Sequence, residues 1–146
     1  MHAEYSCTIH LFGKASFQSN EAVAGGGIYA IINTVVNLFG NTSFENNTAV
    51  SGNGGGIYMI ANNVVNLYGN FDFVNNTAHT GAGGGLYVEQ FQFLQFAGSS
   101  SFWNNLAKNE GEEISIKGGL IHIRHSSYLS TTKLEMVGYW NKCFPK

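Results

Sequence analysis

One short pattern recurs four times along the 146 residues, and its spacing limits what the chain can become. An aliphatic or aromatic residue is followed after one position by Gly, then by Phe, Asn and Ala at fixed offsets. The copies are Leu11-Gly13-Phe17-Asn20-Ala22, Leu38-Gly40-Phe44-Asn47-Ala49, Leu67-Gly69-Phe73-Asn76-Ala78 and Phe96-Gly98-Phe102-Asn105-Ala107. Successive copies are offset by 27, 29 and 29 residues. A fixed period of this length marks a solenoid, in which each repeat buries its apolar face only against its neighbours.

A second block keeps the same period: GGGIY at Gly25 to Tyr29 and at Gly54 to Tyr58, and GGGLY at Gly83 to Tyr87. Between the blocks apolar residues alternate with polar ones. Val65 and Leu67 fall on one side, Asn66 and Tyr68 on the other, and Phe71-Asp72-Phe73 repeats the alternation. Period-two patterning rich in β-branched and aromatic residues reads as strand, not helix. Three short strands per repeat must pair with their counterparts one repeat away. The expected fold is therefore all-β, a right-handed parallel β-helix of about four to five coils, right-handed because parallel crossovers overwhelmingly are.

Inward columns follow from the register: Ile28, Ile57 and Leu86; Val36, Val65 and Leu94; Leu38, Leu67 and Phe96; Phe17, Phe44, Phe73 and Phe102. The column Asn20, Asn47, Asn76 and Asn105 is expected at a bend. Asn tolerates the left-handed region there, and its stacked amides can bond along the axis. The glycine triplets supply positive φ and close backbone approach. Regular repeats are expected over 11–107 and irregular coils over 108–146, within a single β-helix domain spanning 1–146. Past Ala107, Gly111-Glu112-Glu113 stands where a triplet is expected, and a partial echo, GGLIHI, begins at Gly118. This predicts about six inserted residues before Gly118. A worn fifth copy then places Leu134, Met136 and Gly138 in the Leu-x-Gly segment. Neither end carries a polar cap, so the chain reads as a fragment of a longer array whose further repeats would be its neighbours.

Composition excludes several classes. Net charge is −2 with a single Arg, Arg124, so there is no basic stripe for nucleic acid. No segment has the ~18 apolar residues of a membrane span, and the first residues lack the pattern of a secretory leader. Cys7 and Cys143 would lie several coils apart at ~4.8 Å per coil, beyond disulfide reach.

The paired motifs, Phe-x-x-Asn and Gly-Gly-Gly-Ile/Leu-Tyr, resemble the repeats of the chlamydial polymorphic outer-membrane proteins, across Leu11 to Ala107. A third glycine, Gly27, Gly56 or Gly85, replaces the Ala usual in that family. The resemblance implies a right-handed parallel β-helix in a secreted or surface-displayed adhesin, hence an extracellular or cell-surface location.

Enzymatic alternatives on a β-helix are pectate lyases and polygalacturonases, which need clustered carboxylates. Asp72 is the only Asp, and the Glu residues are scattered. Glu45 and Asp72, on neighbouring coils, form the best pair and are expected to be a solvated surface pair. Glu110, Glu112 and Glu113 read as a solvated loop, and His79 as a solvent-facing turn residue. His122 and His125 are an odd number apart and cannot share a metal on a strand. The chain therefore reads as non-enzymatic, with no cofactor and no metal. Tyr29, Tyr58 and Tyr87 should stack outward, extended by Ile31, Ile60 and Glu89, as a candidate stripe for a host or self surface protein or a glycan. Three glycosylation sequons begin at Asn41, Asn46 and Asn75. A chain this rich in Asn, Thr and Ser generates sequons by chance.

Overall fold

The computed structural model describes residues 1–109, 111–123, 129–130 and 134–137. The chain winds as a parallel β-solenoid, with no helix among the described residues. The first coil contains β1 (His2–Glu4), β2 (Thr8–Leu11), β3 (Ala15–Gln18) and β4 (Glu21–Ala22). The second contains β5 (Ile28–Ile31), β6 (Val35–Leu38), β7 (Thr42–Glu45) and β8 (Thr48–Ala49). The third contains β9 (Ile57–Ile60), β10 (Val64–Leu67), β11 (Phe71–Val74) and β12 (Thr77–Ala78). The fourth contains β13 (Leu86–Glu89), β14 (Phe93–Phe96), β15 (Ser100–Trp103) and β16 (Leu106–Ala107). The fifth contains β17 (Ile114–Lys117), β18 (Leu120–Ile123) and β19 (Leu129–Ser130), and β20 (Leu134–Val137) lies beyond it.

Each of the first four coils thus carries four strands, not three. They stack into sheets A, B, C and D, in the order in which the chain meets them within a coil. The extra strand is the two-residue segment after the Asn column, where Thr48–Ala49 pairs with Glu21–Ala22 and Thr77–Ala78. Its Ala faces inward and buries fully in the two middle coils.

Register holds like over like. Phe44 pairs with Phe17 and Phe73, and Phe73 with Phe102. Their rings stack 4.9, 4.7 and 4.4 Å apart, within 7° of parallel. The Val36/Val65/Leu94, Leu38/Leu67/Phe96 and Ile28/Ile57/Leu86 columns are buried in the same core. Burial of side chains this large contributes ~1.5–3 kcal/mol each.

The Asn column is a hydrogen-bonded ladder. The Nδ2 of Asn47 donates to Asn76 Oδ1 (2.9 Å) and to the Phe17 carbonyl (2.9 Å). Asn76 Nδ2 donates to Asn105 Oδ1 and the Phe44 carbonyl, both at 2.8 Å. Each Oδ1 also accepts the backbone N–H of the ladder residue before it. The left-handed residue at this bend is not the ladder Asn but the one preceding it: Ser19, Asn46, Asn75 and Asn104 have φ of 54–55°. The ladder side chains point inward to feed backbone groups, and the bend falls one residue earlier, on a side chain free to face solvent.

The glycine triplets divide their labour. The first glycine takes positive φ, 58° at Gly25, 65° at Gly54 and 63° at Gly83. The third is a close approach: a Cβ on Gly56 would sit 2.5 Å from the Gly85 carbonyl oxygen.

The C-terminal coils depart from the sequence expectation. Ile114 pairs with Leu86, so Gly111-Glu112-Glu113 occupies the triplet position and Gly111 supplies the turn at φ 61°. The spacing from Leu86 to Ile114 is one residue shorter than the repeat, and nothing is inserted. The Gly118 echo leads into sheet B, where Leu120 pairs with Phe93. Leu134 pairs with Ile114 in sheet A, so Leu134 and Met136 belong to the strand after the glycines, not to the Leu-x-Gly segment. The regular register likewise begins earlier than Leu11, with His2 opposite Tyr29. Gly138, Glu110, Arg124, His125 and Cys143 lie outside the described residues.

Candidate interaction surface

On the outer face of sheet A the tyrosines form a column. Tyr29 and Tyr58 stack at 5.3 Å and Tyr58 and Tyr87 at 5.5 Å. His2 takes the same place in the first coil and stacks on Tyr29 at 4.6 Å. Ile31, Ile60 and Glu89 lie in register beside them, half-buried. The column is not uniformly open. Tyr87 is only 3% exposed. Its hydroxyl donates to Glu89 Oε2, and Lys117 Nζ stands 5.8 Å from the ring centroid, within cation–π range. The part a partner could touch is His2, Tyr29 and Tyr58. Burial holds the Tyr58 hydroxyl above its ordinary pKa, with Tyr29 and Glu89 adding to the shift.

A second column, absent from the sequence reading, is more exposed. Phe12, Phe39 and Tyr68 fill the middle position of Leu-x-Gly and stand at the corner between sheets B and C. Phe12 and Phe39 stack at 4.9 Å and 5°, Phe39 and Tyr68 at 5.0 Å and 2°. Their exposures are 75%, 41% and 37%. The neighbouring glycines make this geometry possible. A Cβ on Gly40 would lie 1.6 Å from the Gly13 carbonyl oxygen, so the corner backbones approach closely and the rings align. Beside the rings runs a polar file in which Asn66 Nδ2 donates to Asn37 Oδ1 (2.7 Å) and Asn37 Nδ2 meets His10 Nδ1 (3.2 Å). The sequence signal was present: an aromatic residue fills that middle position in three of four copies, and the column ends at Ala97.

Glu45 and Asp72 lie on sheet C, outside both columns. Asp72 is exposed and its Oδ1 accepts from Ser101 Oγ at 2.5 Å. Glu45 is opposite Val74, one coil and two residues removed from Asp72 on the same outward face of sheet C. Glu113 is buried, 4% exposed, and is not part of a solvated loop, because its backbone continues sheet stacking by accepting from Gly85 and Leu86 N–H. His79 is exposed. Among the described residues no three His, Cys, Asp or Glu side chains converge on a point that could hold a metal, and no helix is long and apolar enough to cross a membrane.

The outward tyrosine file of sheet A and the inward Phe and Asn files meet in the segment from β7 to β9. Residues 41–59 match the Chlamydia polymorphic membrane protein repeat. The matched stretch contains Phe44, Asn47 and the block from Gly54 to Tyr58, so it joins both recurring motifs. In three dimensions it covers the sheet C and D strands of the second coil and the turn into sheet A of the third. This is the repeat type that the paired motifs resemble. Similarity to that family suggests a repeat of a surface or outer-membrane protein. No curated protein and no solved structure gave a significant match.

Proposed function

We propose that this chain is a non-enzymatic, adhesive or structural segment of a secreted or surface-displayed protein. The observation that carries this reading is the match of residues 41–59 to a polymorphic membrane protein repeat, whose two motifs recur in register through the stack. Inward positions repeat one apolar or amide chemistry from coil to coil, and outward positions carry aromatic files. Such a scaffold presents a surface without needing a catalytic cleft. The adhesive face is the exposed Phe12–Phe39–Tyr68 file with its flanking amides, which suits an apolar protein patch or the apolar face of a glycan.

Binding of the purified chain to immobilised surface proteins and a glycan array tests this reading. Replacing Phe12, Phe39 and Tyr68 together by Ser should lower binding about tenfold or more, as loss of aromatic anchors does, while the melting temperature holds. Turnover of a polyuronide panel that Glu45→Gln or Asp72→Asn abolishes would instead establish a carbohydrate-active enzyme.

A further inference from the structure

The asparagines fall into two populations by the use of their amide nitrogen. Along the inner ladder every Nδ2 is committed: Asn20 to Asn47, Asn47 and Asn76 each to two acceptors, Asn105 to the Phe73 carbonyl. Asn46 and Asn75 differ. Both are exposed, both stand at the left-handed bend with φ 54°, and the Nδ2 of neither donates to any described residue. Asn75 Oδ1 accepts from Asn104 Nδ2 at 2.8 Å, and that oxygen stays available when the nitrogen is substituted.

Two residues on, Thr48 and Thr77 are half-buried and in register, each beside an inward, fully buried Ala. Each triplet therefore reads outer Asn, inner ladder Asn, outer Thr. The acceptor amide and the hydroxyl that define an N-glycosylation sequon face solvent together, and the residue between them anchors the coil. Asn104 occupies the same bend one coil later, but Leu106 stands where the hydroxyl is needed. The sequon at Asn41 is different again, because its hydroxyl, Ser43 Oγ, already donates to Ser16 Oγ.

We propose that Asn46 and Asn75 are acceptor sites for an N-linked oligosaccharide. The donor class is a polyprenyl-diphosphate oligosaccharide. Nδ2 attacks C1 of the reducing-end sugar and forms the N–C1 bond. The C1–O bond to the diphosphate breaks, the lipid diphosphate leaves with the electron pair, and Nδ2 gives one proton to a base on the transferase. The sites rest on the surface reading, since such transfer occurs on exported chains. They also fit it: four residues of sheet C, ~13 Å of strand, separate this bend from the exposed aromatic corner. A glycan at the bend would leave that corner open.

The test is expression of the full chain behind a secretion leader in eukaryotic cells. Secreted and retained protein are both digested with peptide N-glycosidase in heavy-oxygen water and mapped by mass spectrometry. Conversion of Asn46 or Asn75 to labelled Asp is the expected result. It should vanish in the Thr48→Val, Thr77→Val double variant, whose circular dichroism and melting temperature should match the parent. Unlabelled Asn46 and Asn75 in the parent, or label persisting at either in the double variant, would overturn the assignment. The added leader supplies export, so a negative result bears on the acceptors and leaves the surface reading to its own test.

Discussion

A buried amide is stabilising only when all of its hydrogen-bonding capacity is used, and Asn76 uses all of it. Its side chain donates to Phe44 and Asn105 and accepts the N–H and Nδ2 of Asn47, at 2.8–3.0 Å. Asn76→Ala leaves the Asn47 N–H and one Nδ2 hydrogen of Asn47 without an acceptor inside the core. At ~1–3 kcal/mol for each orphaned group, the expected loss is about 2–5 kcal/mol. Asn20, at the exposed start of the ladder, has water as an alternative, and Asn20→Ala should cost within about 1 kcal/mol. Urea midpoints of the two variants make the comparison. Tyr58 gives a second single-residue test. Its folded pKa is raised, mainly by burial. Its contribution is therefore fully present below the unfolded tyrosine value of ~10 and is lost as pH rises through the folded value, because the unfolded chain releases its proton first. Urea midpoints measured from pH 8 to 11 should fall at the alkaline end less steeply in Tyr58→Phe than in the parent.

Strands stack here only where nothing protrudes between them, which makes the corner glycines decisive and lets two of them be compared. Gly40→Ala directs a Cβ onto the Gly13 carbonyl oxygen at 1.6 Å, and backbone must move. The first and second coils should separate at that corner, at or above the ~1–3 kcal/mol typical of overpacking. Gly13→Ala meets nothing within 4 Å and is penalised only by its φ of 77°, about 1–2 kcal/mol. Hydrogen exchange at β2 and β3 should accelerate strongly in the first variant and mildly in the second. The inward columns and the sheet A tyrosines were legible in the sequence because each recurs with the 29-residue period and carries the chemistry of its position. The fifth coil was not. Glu112 and Glu113 replace two glycines, while Gly118 and Gly119 imitate the triplet, so composition pointed to the wrong strand. Only Gly111, the residue whose φ the turn requires, marks the true register. The fourth strand was hidden for a different reason, since two residues are too few for alternation to show. The Phe12–Phe39–Tyr68 file is harder to read because it lies at a corner outside the alternating strands and Ala97 breaks it in the fourth copy.

A stack in which each coil touches only its neighbours should respond to damage according to position, whatever the residue type. Phe73 is sandwiched between Phe44 at 4.7 Å and Phe102 at 4.4 Å and is fully buried. Phe17 has one ring neighbour, at 4.9 Å, and is only partly buried. The same substitution to Ala therefore weakens two coil interfaces at Phe73 and one at Phe17. Phe73→Ala should cost about 3–5 kcal/mol, in the range for buried Phe. Phe17→Ala should cost less than half as much, because part of its surface is already in water. The more discriminating readout is where protection is lost. In Phe17→Ala, amide exchange should speed up in β2 and β3 and leave β10 and β11 near parental rates. In Phe73→Ala it should speed up from the second coil through the fourth, since each loses the neighbour that buries it. Equal acceleration throughout the stack in both variants would mean that the coils unfold as one unit, with cooperativity reaching beyond nearest neighbours.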